Sequence, residues 1–401
     1  MKFKFSNTII FYLIFFPIIG YFTFSNLDFG AELIALPLIS TALFYKIFKN
    51  SSLKLPNYLK IYILFLFAIV FSKYIVNSND INFDHHMREV LLFMGVFIIL
   101  LFIENTQLKK ENIIKIVLLI KALIILAFVV AVIQYFEPSF FLNEKLLEIN
   151  AYSDIDNPQR RIQSIFTWVH NMNIMVFSLP ILLNVILGWE YTETGKIHSY
   201  WLILIIGIIC LLSQSRNFLI LYLVVVLYYF YKTMAIKSFV YLVIILTVGF
   251  SILIIINFNF TNYFIDRIGS DTYLTRIEAY YAFLYTFQLK LFWGTGGDVG
   301  KELLDFYGRR TRIHNGFFAV PYYYGVIGAV MYFSFIVSIY KYMSCKYKKS
   351  DINVAMVTFL CIGLGNFAVD YYVLFDIGLF MTLLFTLYIY KNRINQIYED
   401  A

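Results

Sequence analysis

Apolar stretches long enough to cross a membrane recur from one end of this 401-residue chain to the other. Hydrophobic residues make up 61% of the sequence and charged residues 14%, and the mean hydropathy is +0.74. A membrane-spanning helix needs about 20 consecutive, mostly apolar residues. The sequence therefore predicts an all-α, polytopic integral membrane protein and excludes a protein built around a water-soluble core.

The apolar stretches predict about twelve transmembrane helices in a single membrane domain, residues 1–401, because neither an internal repeat nor a linker divides the chain. The predicted spans are 8–25, 29–48, 58–77, 89–104, 113–135, 163–187, 199–215, 217–235, 238–257, 316–342, 352–370 and 372–391. The polar segment 258–315, between the ninth and tenth helices, is predicted to be a large external loop that carries the active site. A second external loop, 136–162, is placed to cover it.

Basic residues give this arrangement an orientation. Lysines such as Lys60, Lys110, Lys196 and Lys237 lie in alternate connections, and the positive-inside rule then puts both termini in the cytoplasm. Arginine follows the opposite bias. On the predicted external side lie Arg88, Arg160, Arg161, Arg216, Arg267, Arg276, Arg309, Arg310 and Arg312, whereas Arg393 alone is predicted to be cytoplasmic.

External arginines indicate an anionic ligand outside the membrane. The guanidinium group keeps its charge and presents a planar fork of donors that binds phosphate or carboxylate through two hydrogen bonds. For any single arginine, the competing interpretation is contact with a lipid headgroup or with a loop carboxylate such as Asp266, Asp271 or Glu278. For the set as a whole, we expect a phosphate-bearing ligand. The basic residues are dispersed between apolar spans, so they form no soluble face for nucleic acid.

Two charged residues fall at unusual places among the spans. Ser213 to Arg216 interrupt the apolar sequence between the seventh and eighth helices, so Arg216 is expected at the external membrane surface, where it could hold a diphosphate whose lipid tail stays in the bilayer. The alternative is that Arg216 extends its charge from a tight turn to the membrane surface.

Lys121 lies inside a predicted span, and it is expected to face a cavity or an acidic partner.

The large loop contains three further features. Tyr273 to Lys290 is predicted to form an aromatic-rich amphipathic helix at the membrane interface, which places Arg276 near the headgroups. Phe292 to Gly300 is a glycine-rich turn whose backbone could approach a ligand closely. His314 is the best candidate for a general base, because imidazole accepts a proton near neutral pH. The competing interpretation of His314 is a capping or interface residue.

Taken together, several short motifs resemble the O-antigen polymerase and O-antigen ligase family. They are Ser215-Arg216, Arg276 in Arg-Ile-Glu-Ala-Tyr, the turn Trp293-Gly294-Thr295-Gly296, His314-Asn315 followed by Gly325 and Gly328, and the approach to the sixth helix with Arg160-Arg161, Phe166 and Asn171. The His-Asn and Gly-x-x-Gly spacing is similar to that of ligases. The sequence bias toward Ile, Phe, Tyr, Asn and Lys is typical of an AT-rich surface-polysaccharide locus and favours a polymerase.

The resemblance implies a metal-independent glycosyltransferase without a cofactor, acting at the external face of the bacterial inner membrane in lipopolysaccharide or other polysaccharide biosynthesis. Its donor is an oligosaccharide on undecaprenyl or another polyprenyl diphosphate, and a chain-length regulator protein is a further expected partner. Arg216 and Arg276 would bind the diphosphate and His314 would activate the acceptor hydroxyl. The residues expected to contact the glycan or close the loop are Arg160, Arg161, Arg309, Arg310, Arg312 and Asn315.

Two other functions remain open at this point. A ligase would transfer the finished polymer to lipid A core and needs the same residues in the same roles. A flippase for lipid-linked oligosaccharides would also use external cations, but it should carry charges along a path through the spans. Because the arginines gather on one predicted side, the sequence favours chemistry at the membrane surface.

Overall fold

Helices account for every regular element in the part of the chain that the structure describes. The computed structural model describes residues 54–76, 110–137, 140, 162, 164, 171–213, 215–233, 280, 281, 283, 284, 290–296, 316–346 and 354–366, together with scattered residues between 90 and 105. The helices are α1 Asn57–Phe71, α2 Lys110–Phe136, α3 Asn171–Thr194, α4 Tyr200–Ser213, α5 Arg216–Thr233, α6 Gly316–Lys346 and α7 Val354–Asn366. A π-helical segment, Ser72–Val76, continues α1.

Within the part of the chain that the structure describes, three helical segments are long and apolar enough to cross a membrane. They are Asn57–Val76 and Val117–Phe136, with 20 residues each, and Phe317–Tyr342, with 26. At about 1.5 Å per residue, 20 helical residues span the roughly 30 Å of a bilayer's hydrocarbon core. A helix satisfies its backbone hydrogen bonds internally, which is the condition for a segment surrounded by lipid. Large apolar side chains on α1, α4 and α6, among them Phe67, Leu204 and Val330, are exposed.

Seven predicted spans overlap the described helices, and the described residues from 90 to 105 are helical where an eighth span was predicted. The spans predicted at 8–25, 29–48, 238–257 and 372–391 lie outside the described residues. The total of about twelve helices, the extent of the large loop and the position of the termini therefore stay predictions.

The sixth predicted span differs from the structure at both ends. Ser164 lies in a turn with φ 58° and not in a helix. Its N–H donates to Gln134 Oε1 at 2.7 Å, and its carbonyl accepts from Gln134 Nε2 at 3.0 Å. At the other end, α3 continues past residue 187 to Thr194. It ends there because Gly195 adopts φ 70° and donates its N–H to Tyr191 O at 2.8 Å, the usual way a glycine terminates a helix.

Helices α1 and α6 pack antiparallel along a series of aromatic contacts. At one end, the rings of Tyr58 and Tyr342 lie 5.2 Å apart, and further along the pair those of Phe65 and Tyr324 lie 6.0 Å apart in an edge-to-face arrangement. Aromatic pairs of this geometry add about 0.5–1.5 kcal/mol each beyond the burial of their surface. The α1–α6 pair therefore packs through aromatic rings along its length, with distinct groups at its two ends.

A carboxylate closes one end of this pair. Glu104, 7% exposed, accepts hydrogen bonds from the Tyr58 hydroxyl at 2.6 Å and the Tyr342 hydroxyl at 3.0 Å. Tyr58 lies at the start of α1 and Tyr342 near the end of α6, so the contact joins both helices to the segment between residues 90 and 105. This is the end that the basic residues predict to be cytoplasmic.

A second buried polar group joins α3, α5 and α7. Asn184 donates from Nδ2 to Val354 O at 3.0 Å and to Thr358 Oγ1 at 2.9 Å, and its Oδ1 accepts from the Tyr229 hydroxyl at 2.9 Å. All polar atoms of the Asn184 amide thus have partners. In a mostly apolar bundle, such a satisfied group specifies which helices are neighbours.

The prediction that Lys121 faces an acidic partner is confirmed. Lys121 Nζ lies 2.6 Å from Glu190 Oε1. The same carboxylate accepts from the backbone N–H of His198 at 2.9 Å and of Ser199 at 2.8 Å, and from the Ser199 hydroxyl at 2.5 Å. Glu190 therefore pairs with the partly buried cation on α2 and accepts hydrogen bonds from the N–H groups of the two residues that precede α4.

Substituting Glu190→Gln should destabilise the protein by about 1–3 kcal/mol, because the change removes a charged acceptor of several hydrogen bonds and leaves Lys121 without its counter-ion. The measurement is the thermal unfolding temperature of the purified protein in detergent. Glu111→Gln, at an exposed position of α2, is the matched control and should unfold at the wild-type temperature. Equal unfolding temperatures for both variants would contradict the assignment of Glu190 as a structural link.

Candidate functional site

Helix α6 is broken two turns after its start. Gly325 adopts φ 65° and ψ −170°, far from helical values. In a continuous α-helix, the N–H groups of Val326 and Ile327 would bond to the carbonyls of Tyr322 and Tyr323. The break separates these four groups, and in a membrane protein each of them needs another partner.

The segment 291–296 supplies all four partners. The bonds are Thr295 N–H to Tyr322 O at 2.9 Å, Gly296 N–H to Tyr323 O at 2.8 Å, Val326 N–H to Leu291 O at 2.9 Å and Ile327 N–H to Phe292 O at 3.3 Å. Both faces of the break are therefore satisfied by the same short turn. We call this unit, residues 291–296 with residues 322–327, the glycine joint.

Glycine is required on both sides of the joint. Gly294 has φ 68°, and a Cβ there would collide with the backbone of Tyr323 and Gly325. A Cβ on Gly325 would collide with the carbonyl of Phe292. The backbone of the glycine-rich turn thus closely approaches the backbone of α6. The predicted approach of this turn to a ligand stays a prediction.

The end of α1 is attached to the same joint. The Ser72 hydroxyl donates to the carbonyl of Trp293 and lies 3.3 Å from that of Tyr323, and the rings of Phe71 and Trp293 lie 4.3 Å apart. Ser72 is fully buried. This end of the α1–α6 pair is opposite to the end closed by Glu104, so it is the end that the topology predicts to be external.

Residues that precede the turn pack against the start of α6. Phe283 lies with its ring 5.2 Å from Phe318 and 6.3 Å from Tyr322, and Tyr280 contacts Phe318 at 5.4 Å. The described residues 280, 281, 283 and 284 are helical, as predicted, but the helix does not reach Lys290, which lies in a bend. One side of this helix packs on α6 while Tyr281 on the other side is exposed.

The helix boundary predicted around Arg216 is confirmed. α4 ends at Ser213 and α5 begins at Arg216. Ser215 precedes α5, and its Oγ accepts from the N–H of Phe218 at 3.4 Å, which is the pattern of an N-cap. The side chain of Arg216 is outside the described part of the structure.

The remaining predicted site residues lie outside the described residues. They are Arg160, Arg161, Arg276, Arg309, Arg310, Arg312, His314 and Asn315. In sequence, His314 and Asn315 directly precede Gly316, the first residue of α6, and Arg276 is four positions before Tyr280. The described parts of both segments contact each other through Tyr280 and Phe318, and a meeting of Arg276 with His314 stays a prediction.

Sequence reasoning missed Lys73. Its side chain is only 1% exposed, and Nζ lies 6.0 Å from the centre of the Tyr324 ring, next to the break at Gly325. One signal could have found it. Lys73 falls at the external end of a predicted span, whereas most lysines fall on the predicted cytoplasmic side.

Comparison with known proteins gives no family assignment. Neither a scan against protein-family models nor a search of the curated proteins found a match to this chain. Among the described residues, no group of three or more His, Cys, Asp and Glu side chains could hold a metal ion. Function is therefore inferred from the individual residues and their geometry.

Gly325→Ala should destabilise the protein by about 1–3 kcal/mol, because alanine is strained at this φ and its Cβ would force the turn away from α6. The loss of stability is measured from the thermal unfolding of the purified protein in detergent. Gly363→Ala is the control, since Gly363 lies within α7 with open space around it and the same change there should be neutral or stabilising by about 0.5–1 kcal/mol. A Gly325→Ala protein as stable as Gly363→Ala would contradict the joint as described.

Proposed function

We propose that this chain is a surface-polysaccharide polymerase that joins polyprenyl-diphosphate-linked oligosaccharide repeat units at the external face of the bacterial inner membrane. The observation that carries the proposal is the glycine joint. Gly294 and Gly325 belong to two separate motifs that resemble the O-antigen polymerase and ligase family, and in the structure their backbones are in direct contact. Because the two motifs form one structural unit, their resemblance to the family is better explained by a common function than by chance.

The joint links the sequence segments that carry the proposed chemistry. The turn ends the part of the loop that contains Arg276, and α6 follows His314 directly. Four backbone hydrogen bonds hold the turn 291–296 at a fixed distance from α6. A rigid support of this kind is what an active site needs when its polar side chains come from a loop.

In the proposed reaction, Arg216 and Arg276 bind the diphosphate of the donor lipid. His314 takes the proton of the acceptor sugar hydroxyl. The oxygen of that hydroxyl attacks the anomeric carbon of the donor glycan. The bond from that carbon to the diphosphate oxygen breaks, and polyprenyl diphosphate leaves as an anion stabilised by the arginines. The remaining external arginines, Arg160, Arg161, Arg309, Arg310 and Arg312, guide the glycan or close the loop over it.

The surroundings of Arg216 suit a lipid-bound donor. α4, which leads to the junction before Arg216, exposes large apolar side chains, including Leu204 and Leu211. A polyprenyl tail could lie along such a surface within the bilayer while the diphosphate stays at its edge. This combination favours a lipid-linked donor over a soluble sugar nucleotide.

The test is an incubation of the purified protein with polyprenyl-diphosphate-linked repeat units, with the lipid-linked products resolved by gel and mass spectrometry. The proposal predicts a ladder of products that differ by one repeat unit. Product that forms only after lipid A core is added would assign the chain as a ligase. Unchanged substrate under both conditions would contradict an enzyme and favour a flippase.

His314→Ala should lower the rate of ladder formation by about 100- to 10,000-fold, the usual contribution of a general base. His198→Ala is the matched control, because His198 is an exposed histidine on the predicted cytoplasmic side. It should polymerise at the wild-type rate. Wild-type activity of a well-expressed His314→Ala protein would exclude the role of base.

Arg276→Lys should raise KM for the lipid-linked donor by about 10- to 100-fold, because lysine keeps the charge but cannot form two parallel bonds to a phosphate. Steady-state kinetics with varied donor concentration measure the change. Arg393→Lys, at the arginine predicted to be cytoplasmic, should leave KM unchanged. Equal KM values for both variants would remove Arg276 from the diphosphate site.

A further inference from the structure

The main-chain polar groups of the turn 291–296 have partners within the protein. Besides the four bonds to α6, the N–H of Gly294 donates to the carbonyl of Lys290 at 2.9 Å, and the carbonyl of Trp293 accepts from the Ser72 hydroxyl. The carbonyls of residues 290–293 and the N–H groups of residues 294–296 are thus all paired. A loop at the protein surface can leave such groups to water, whereas hydrocarbon requires a partner for each. The pairing permits the turn to lie at membrane depth.

The opposite end of the α1–α6 pair marks one boundary of the bilayer. Tyr58 and Tyr342 meet there, and Lys60 and Lys341, both exposed, lie within two residues of them along the chain. Lysines at the ends of membrane helices extend their stems from the edge of the hydrocarbon to the headgroups. The level of the two tyrosines is therefore the edge of the hydrocarbon on the side that the topology predicts to be cytoplasmic.

Both helices measure the depth of the glycine joint from that level. Ser72, which bonds to the turn, lies 14 residues from Tyr58, and Gly325 lies 17 residues from Tyr342. At about 1.5 Å per residue these separations are about 21 Å and about 26 Å, and a tilt of the helices shortens the depth further. The hydrocarbon core of a bilayer is about 30 Å thick. The joint therefore falls inside the hydrocarbon, in its external half.

Helix α6 also continues on the external side of the joint. Its first nine residues, Gly316–Tyr324, precede the break and are uncharged and rich in aromatic side chains. The apolar span Phe317–Tyr342 includes both sides of the break. An apolar helical segment thus lies beyond the joint, which is expected of a break within the membrane and not of one above it.

The exposed surface of the turn continues the exposed surface of α6. Val326, Val330 and Val337 are exposed and share one face of the helix by their spacing of four and seven residues. The carbonyl of Leu291 accepts from the N–H of Val326, so the turn adjoins the external end of this face. Leu291 is exposed there, and Phe292 is 63% exposed. The face of α6 that a membrane helix presents to lipid therefore extends onto the turn.

We infer that the turn 291–296 is a re-entrant segment, immersed in the hydrocarbon of the external leaflet, where Leu291 and Phe292 contact the acyl chains of the bilayer lipids. The sequence agrees, since it carries no charge between Lys290 and Asp298. Lipid is favoured over a second copy of the chain because the exposed side chains of the turn are bulky, whereas helix interfaces in membranes favour small residues. The segment 258–315 is then not external throughout. The inference is independent of the proposed reaction, because a polymerase, a ligase and a flippase could each contain such a segment.

The experiment measures the membrane depth of Phe292 by electron paramagnetic resonance. Phe292→Cys is introduced into the full-length protein with its three native cysteines replaced by alanine, labelled with a nitroxide and reconstituted in lipid vesicles. Collisions of the label with oxygen, which enters hydrocarbon, and with a water-soluble nickel complex are compared. Nickel collisions should be about 10-fold less frequent than for Lys54→Cys, because hydrocarbon excludes polar solutes. Oxygen collisions should be as frequent as for Val330→Cys.

The two reference positions fix the possible outcomes. Lys54 is exposed before the start of α1 and reports contact with water, whereas Val330 reports contact with lipid. Nickel collisions at Phe292→Cys as frequent as at Lys54→Cys would place the turn in water and overturn the inference. Few collisions with either reagent would show that protein covers the turn, and would overturn it as well. Spin–spin broadening would identify that protein as a second copy.

A fluorescence measurement that retains the native cysteines covers the case in which the labelled variant does not fold. Trp293 lies in the turn and is half-buried, so phospholipids brominated on their acyl chains should quench its emission. The wild type is compared with Trp293→Phe, which keeps an aromatic ring beside Phe71. Quenching by brominated lipid should be smaller in Trp293→Phe, because one lipid-accessible indole is removed. Equal quenching of the two proteins would contradict the immersion of the turn.

Discussion

The hydrogen bonds between the broken helix α6 and the turn 291–296 are the constraint that holds together the end of the α1–α6 pair that carries Ser72. A break in a membrane helix leaves backbone groups that lipid cannot satisfy, at a cost of several kcal/mol for each group. The turn takes up all four groups of Tyr322, Tyr323, Val326 and Ile327. The turn and the helix must therefore stay together, and only glycine at positions 294 and 325 permits the approach.

This constraint fixes the position of part of the loop to which the proposed function assigns chemistry. Loops move more than the elements they connect, so a site built on one needs an attachment. The glycine joint attaches residues 291–296 of the loop to α6, and Ser72 attaches both to α1. Aromatic contacts then run along the α1–α6 pair to the cluster of Tyr58, Glu104 and Tyr342 at the far end. The turn is thus connected through packed and hydrogen-bonded residues to the opposite end of the α1–α6 pair.

Local features of the fold could be predicted from the sequence. Apolar length located the described helices, the polar interruption at Ser213 to Arg216 located the end of α4 and the start of α5, and the depth of Lys121 implied the acidic partner found in Glu190. These predictions depend on the residues of one segment and on general costs of burying charge. They needed no knowledge of which helices are neighbours.

Features that depend on distant contacts could not be predicted in the same way. The start of the sixth predicted span was wrong because Gln134, on another helix, holds Ser164 in a turn. The partner of the glycine turn and the burial of Lys73 likewise follow from the packing of α1 against α6. Of the predicted site, the backbone junction at Arg216 agrees with the structure, while the roles of Arg276 and His314 rest on the proposed function.

The most direct test of the account is a cryo-electron microscopy structure of the protein with a polyprenyl-diphosphate-linked oligosaccharide bound in a lipid nanodisc. The account predicts density for the diphosphate at the end of the α1–α6 pair that carries Ser72, Lys73 and the glycine joint, with Arg216, Arg276 and His314 around it. Density at the opposite end, beside Glu104, or within the bundle away from the joint, would contradict it.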